Sequence, residues 1–194
     1  MDILVARFTA DGKVSWAKTW AGGAADRAYG IALDEYGSAY VCGHTESFGA
    51  GGADALLLKY DCDGNLEWAR TWGGTWDDGL SALMVGPDGN VHAVGSTSTF
   101  GAGNGDCLVQ EWSPAGDLES TRTWGLTELD AAYTLICSGE GHMYVAGFTA
   151  SLGSRRALML KYDALGDLLS SRAWTGESSS VEVQAWDSRR NMYL

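Results

Sequence analysis

Apolar and polar positions recur along this chain with the period of strands. Residues 54–60, Asp-Ala-Leu-Leu-Leu-Lys-Tyr, form a nearly continuous apolar run, the pattern of a strand covered on both faces. Asp63-Gly64-Asn65 supplies a tight turn, after which Leu66 to Trp72 alternates apolar with polar residues. Gly73-Gly74-Thr75 breaks that strand. Gly79 to Val85 predicts a third strand, Gly86-Pro87-Asp88-Gly89-Asn90 a turn, and Val91 to Thr97 a fourth. Ser98 to Gly105 is rich in Gly, Ser and Thr and leads onward. No segment carries a helical period.

The same unit returns. Asp2-Ile-Leu-Val-Ala-Arg-Phe8 recurs as residues 54–60, then as Asp106-Cys-Leu-Val-Gln-Glu-Trp112, then as Ala157-Leu-Met-Leu-Lys-Tyr162, at spacings of 52, 52 and 51. Trp20, Trp72, Trp124 and Trp174 share one column, and Asp26, Asp78 and Asp130 another. Gly43, Gly95 and Gly147 align, each followed by Thr45, Thr97 or Thr149. Four strands per unit, with turn signals at short intervals, predict an all-β chain. Its architecture is expected to be a β-propeller of four ~52-residue, four-stranded repeats, about 2–53, 54–105, 106–156 and 157–194. A right-handed β-helix fits less well, because its coils are shorter and these turns are of hairpin kind.

Asp-x-Leu-Leu-Leu-Lys-Tyr, Asp-Gly-Asn-Leu-x-Trp, Trp-Gly-Gly, a lone Asp and then Asp-Gly-Asn-x-x-x-x-Gly-x-Thr-x-Ser resembles the SBBP-type β-propeller repeat over essentially the whole chain. The first two repeats match best. In the fourth, Thr175-Gly176 and Glu-Ser-Ser-Ser replace Gly-Gly and the aligned Asp. The resemblance implies large bacterial surface or secreted proteins, and it implies a fold more than an activity. It also implies a strand order, with the strand matching Tyr29 to Asp34 innermost, then 38–45, 54–60 and 65–72.

In that order the chain starts on two outer strands, at Asp2 and Lys13, and ends on two inner ones, at Val181 and Asn191. Pairing of these ends would complete a blade and close a ring. A piece of a longer array and a ring made by two copies are the competing outcomes, the first favoured by a stop at Leu194 before the expected Gly-x-Thr. Met1 directly precedes strand residues, so no signal peptide is expected here.

Composition narrows the function classes. Gly (27) and Trp (9) are abundant and Pro (2) scarce, and 45% hydrophobic residues can build a core. The net charge of −12 opposes binding to a phosphate backbone, so no nucleic-acid partner is expected. No apolar run reaches the length of a membrane-spanning helix. Cys42, Cys62, Cys107 and Cys137 occupy different repeat columns, which favours free thiols and is compatible with an intracellular site. That cue opposes the surface location implied by the resemblance.

Candidate chemistry is sparse. Asp26, Asp78 and Asp130, with Asp77 beside them, sit in loops before the innermost strand, where a closed ring would gather them around its axis. Such carboxylates could attract a hard cation or a cationic ligand; alternatively each fixes its own Gly-rich loop through backbone N–H groups. The Trp column reads as packing between blades. Trp76 occurs only in the second repeat and is the better contact residue. His44 ends a strand near one mouth of the ring, His92 replaces a strand Tyr, and His142 falls in a turn. No metal-ligand spacing, nucleophile elbow or phosphate loop is present, so no cofactor, metal or catalytic residue is expected. The leading functional expectation is a noncatalytic interaction scaffold for a protein partner, acting as a monomer, a homodimer or part of a larger assembly. A carbohydrate, small-ligand or cation-binding module is the alternative. A lyase or quinoprotein-like propeller enzyme is a third, which would need unique polar residues converging on the axis.

Overall fold

A computed structural model describes residues 1–138, 140–174, 185–186 and 192–193. The chain is all-β and antiparallel. A hairpin of β1 (Ile3–Phe8) and β2 (Val14–Trp20) comes first. The first four-stranded sheet follows, from β3 (Asp26–Leu33), β4 (Ala39–Thr45), β5 (Asp54–Tyr60) and β6 (Leu66–Trp72), paired in that order. The second sheet is β7 (Asp78–Val85), β8 (Val91–Thr97), β9 (Asp106–Trp112) and β10 (Leu118–Trp124). The third is β11 (Asp130–Cys137), β12 (Met143–Thr149), β13 (Arg156–Tyr162) and β14 (Leu168–Ala173). A short pair, β15 (Ala185–Trp186) with β16 (Met192–Tyr193), closes the described chain. The strand order is the one expected. The expected start at Val181 and the Thr175-Gly176 break lie outside the described residues.

Register corrects one alignment. Thr45 pairs with Asp54 and Thr97 with Asp106, while Thr149 pairs with Arg156. Arg156, not Ala157, therefore stands in the column of Asp54 and Asp106. The third unit is therefore one residue shorter than its sequence pattern suggested, and the fourth opens on a guanidinium where the others open on a carboxylate.

Burial on both faces explains the apolar run of the third strand. Leu56 and Leu58 pack with Ile3 and Val5 of the preceding hairpin, whereas Leu57 packs with Leu80 and Leu83 of the following sheet. The same alternation recurs one unit later, where Leu108 joins the core before it and Cys107 and Val109 the core after it. The first and second four-stranded sheets thus share both faces with their neighbours, and the cores run on from sheet to sheet.

Trp16 and Trp68 lock the outer rim. Each indole N–H donates to a carbonyl in the outer hairpin turn of the next unit, Trp16 to Cys62 at 3.1 Å and Trp68 to Pro114 at 3.2 Å. Arg70 adds bonds to Ala115 and Gly116 in the same turn, and where Ser120 replaces Trp the aligned Arg122 still donates to Leu165. Trp20 and Trp72 pack on Phe48 and Phe100, with ring centroids 5.2 and 4.8 Å apart. Trp124 lies against the core shared by the second and third sheets. Asp61 accepts N–H groups of Asp63 and Asn65, so the Asp-Cys-Asp-Gly-Asn segment is a hairpin turn. All four cysteines are free. Burial pushes the Cys42 thiol up to about 12, so it behaves as a small apolar residue.

The Gly43, Gly95 and Gly147 column has a steric cause. A β-carbon on these residues would lie 1.8, 1.9 and 2.0 Å from the carbonyl oxygens of Arg27, Gly79 and Ala131 on the neighbouring innermost strand. Register slips beside each contact, leaving Tyr29, Ser81 and Tyr133 as unpaired bulge residues. Gly95→Ala is therefore expected to cost about 3 kcal/mol or more in urea denaturation. Gly23→Ala meets nothing within 4 Å and should stay within about 0.5 kcal/mol. Equal effects would contradict the packing assigned to this column.

Candidate functional site

The loops that start the first and third strands of each sheet, and end the second and fourth, cluster on one face. They are built around one device. Asp26, Asp78 and Asp130 are buried, and each accepts the backbone N–H four residues earlier, from Gly22, Gly74 and Leu126, at 2.9 to 3.0 Å. A hydroxyl also donates to each carboxylate, Ser47 at 3.0 Å, Thr99 at 2.8 Å and Ser151 at 2.8 Å. That hydroxyl oxygen accepts a loop N–H in return, from Ala24, Trp76 and Glu128 respectively. Thr45 adds a 2.5 Å bond to the other oxygen of Asp26, whereas Oδ1 of Asp130 is buried without a hydrogen-bond partner. The Asp column thus fixes its own loops, as the second of its two readings held. Asp78 also reaches the wall of the cavity between the first strands of the sheets.

A second buried pair of carboxylates was not anticipated. Asp54 and Asp106 begin the third strands and accept N–H groups of Ala50 and Ala102, again four residues earlier. A β-carbon on Gly73 would lie 2.2 Å from Asp54 Oδ1 and 2.7 Å from Asp78 Oδ2, so these carboxylates face each other across a glycine. Gly125 separates Asp106 from Asp130 in the same way. Burial, and after it the neighbouring charge of Asp78 or Asp130, raises the Asp54 and Asp106 carboxyls above the ordinary aspartate value. Among the described residues no group of three or more His, Cys, Asp or Glu side chains is placed to hold a metal ion.

Between the innermost strands lies a cavity of about 950 Å³. Its wall includes Arg27, Tyr29, His44, Glu46, Asp77 and Tyr133. The bulges explain the placement: Tyr29, Ser81 and Tyr133, one from each sheet, are turned out of the ladder and line this space. His44 lies opposite Arg27 in the β3–β4 register and 5.5 Å from the Tyr29 ring. Burial, then the Arg27 charge, holds the His44 imidazole below the ordinary histidine value, which favours its neutral form. Tyr133 accepts a bond from Arg155, whose guanidinium sits 3.8 Å from the Phe148 ring centroid.

Two of the expected site residues, Asp77 and Trp76, adjoin a second, smaller cavity that shares Gly51, Gly52, Asp77 and Ser98 with the first. Trp76 is 65% exposed, and Asp77 accepts the Ala53 N–H at 3.0 Å. The structure therefore brings His44, Asp77 and Asp78 to the central cavity and Trp76 beside it, and withdraws Asp26 and Asp130 into the loop scaffold. Arg27, Tyr29, Ser81 and Tyr133 escaped sequence reasoning. Their one signal was indirect, the glycine column opposite them.

The buried Asp54 gives a test with a defined sign. Its raised carboxyl value means that the folded state favours the protonated form. Stability from this group is greatest at acid pH and falls as pH rises from the ordinary carboxylate range through the raised native value. Asp54→Asn keeps an acceptor for Ala50 and removes the charge. Its melting temperature should match the parent at acid pH and exceed it by about 2–4 °C at pH 7. A variant less stable at pH 7 than at pH 4, relative to the parent, would contradict the electrostatic account.

No family model matches the chain. It is similar to the regulatory protein FlaEY of Caulobacter vibrioides, with 32% identity over 114 residues that cover 52% of this chain. The match spans 12% of that relative's length. In fold it is similar to the crystal structure of a Lactobacillus plantarum protein, with a TM-score of 0.53 at 13% identity over 98% of this chain and 58% of the other. A crystal structure of a eukaryotic initiation factor aligns over 89% of this chain and 43% of its own, at 9% identity and a TM-score of 0.48.

Proposed function

We propose that the chain is a noncatalytic β-propeller binding module of SBBP-like repeats, whose loop face and axial cavity recognise a partner. The observation that carries this reading is the division of labour in the loops. Repeated residues, the buried carboxylates and their hydroxyl partners, are spent on backbone groups. Unrepeated residues, Arg27, His44, Glu46 and Asp77, stand on the cavity wall. His44 neighbours the Tyr29 ring and faces Arg27 on the same wall, so aromatic, cationic and acidic groups share this surface. Similarity to a regulatory protein over half of this chain fits a binding role, and the small share of that protein involved fits a module of something larger.

Ring closure is part of the proposal. The β1–β2 hairpin has two strands where each described sheet has four, and a two-stranded pair ends the chain. Leu4 and Ile31 occupy the positions of Leu56 and Leu83, which are buried against a preceding sheet, yet both are exposed. The inner strands of a completed first blade would cover Ile31. In a closed monomer Ile31→Asp should cost about 2 kcal/mol or more in chemical denaturation. An unchanged midpoint, in a chain that light scattering shows to be monomeric, would refute closure.

The binding role is tested by site-specific photocrosslinking in producing cells. A benzophenone side chain at Tyr29 should capture a discrete partner, whereas the same group at Leu165, 80% exposed in an outer turn, should not. Equal labelling at both positions, or none at Tyr29, would overturn the assignment.

A further inference from the structure

The loop before each innermost strand has one backbone and three sets of side chains. Ala24, Trp76 and Glu128 occupy the same place, and each backbone N–H is held by the hydroxyl of Ser47, Thr99 or Ser151 at 2.9 to 3.1 Å. The following position is Ala25, Asp77 or Leu129. The clamp that builds the loop therefore does not use the Trp76 side chain, and an alanine folds equally well at its counterpart. The indole is left 65% exposed at this position, open to a ligand.

Trp76 borders a groove of about 670 Å³, within the range of small-ligand sites. The other side chains along it are Thr75, Asp77, Ser98 and Asn104, with glycine backbone between them. Gly52 makes this possible: a β-carbon there would lie 2.5 Å from Asp77 Oδ1. Asp77 is held in place by the Ala53 N–H on Oδ1, which leaves its other oxygen free to accept from a ligand. The lining carries no Lys or Arg, so it offers nothing to a phosphate or carboxylate. It holds no second apolar side chain to receive a peptide anchor, and one aromatic wall is less than the cage that encloses a quaternary ammonium. What remains is a flat aromatic face beside a planar carboxylate, an amide and two hydroxyls.

We propose that the groove beside Trp76 is a saccharide subsite, with the indole stacked on the C–H face of one pyranose and Asp77 and Asn104 bonded to its hydroxyls. The assignment rests on the binding-module reading and names its ligand class. A sugar ring has an apolar face and a rim of paired donors and acceptors, which matches this lining.

The test is a broad glycan microarray probed with the labelled full chain, followed by calorimetric titration of the strongest hit. Trp76→Ala should weaken that hit about tenfold or more, Trp76→Phe should retain most of the affinity, and Asp77→Asn should weaken it with altered sugar preference. Melting temperatures of the Trp76 variants should match the parent. An array without hits, a hit indifferent to Trp76→Ala, or preferential binding of a trimethyl-lysine peptide or an unmodified peptide would overturn the saccharide assignment. If crosslinking at Tyr29 persists in any of those cases, the binding-face reading stands and only the ligand class falls; loss of both removes the broader reading as well.

Discussion

A buried aspartate that accepts the backbone N–H four residues before it is the interaction on which this fold rests. It occurs at Asp26, Asp54, Asp78, Asp106 and Asp130. Asp26, Asp78 and Asp130 close the loop through which the chain enters a new sheet, and Asp54 and Asp106 close the Gly-rich loop between the second and third strands of one sheet. A loop of that composition has much conformational entropy to lose and little side-chain surface to bury. A charge-assisted bond in a dry setting offsets that loss more strongly than a neutral one. The cost is visible as well, since Asp54 faces Asp78 and Asp106 faces Asp130, and the first of each pair is pushed toward its protonated form by burial and by its neighbour. The junctions between sheets are thus firm in geometry and strained in charge.

The second constraint joins fold to cavity. Glycines 43, 95 and 147 let the second strand press against a carbonyl of the innermost strand, and the ladder slips by one residue beside that contact. The displaced residues are Tyr29, Ser81 and Tyr133, which line the cavity between the first strands of the sheets. A packing requirement repeated in every sheet therefore sets three points on the wall of the candidate site. Chemistry at those points differs from sheet to sheet while the backbone does not.

Much of the architecture was legible because it is written in side-chain periodicity. The apolar run of 54–60 reported a strand shared by two cores, and the turn residues reported their hairpins. Trp16 and Trp68 had to be structural because each recurs where a rim contact is needed. The site was less legible, for physical reasons. A β-bulge is a backbone event with no composition of its own, so Tyr29 and Tyr133 read as ordinary strand residues. Asp26 and Asp130 could be read as loop clamps or as ligands, because a clamp's partners are backbone N–H groups that every sequence has. Arg156 was misplaced by one residue because the repeat shortens there, which only strand register reveals.

The loops then account for why a chain so plain in fold says so little about its role. Stability is carried by the aspartate and by the Ser or Thr hydroxyl twenty-one residues later, which together satisfy the loop backbone in three copies. The side chains one and two residues before the aspartate take no part in that clamp, which forms from the same backbone N–H whether they are Ala-Ala, Trp-Asp or Glu-Leu. A repeat built this way can change what it recognises without changing how it folds. Departures from the repeat, rather than the repeat itself, are then the residues that speak about binding. By that criterion Trp76 and Asp77 carry more information about function than the three aligned aspartates, although the alignment drew attention to the aspartates first.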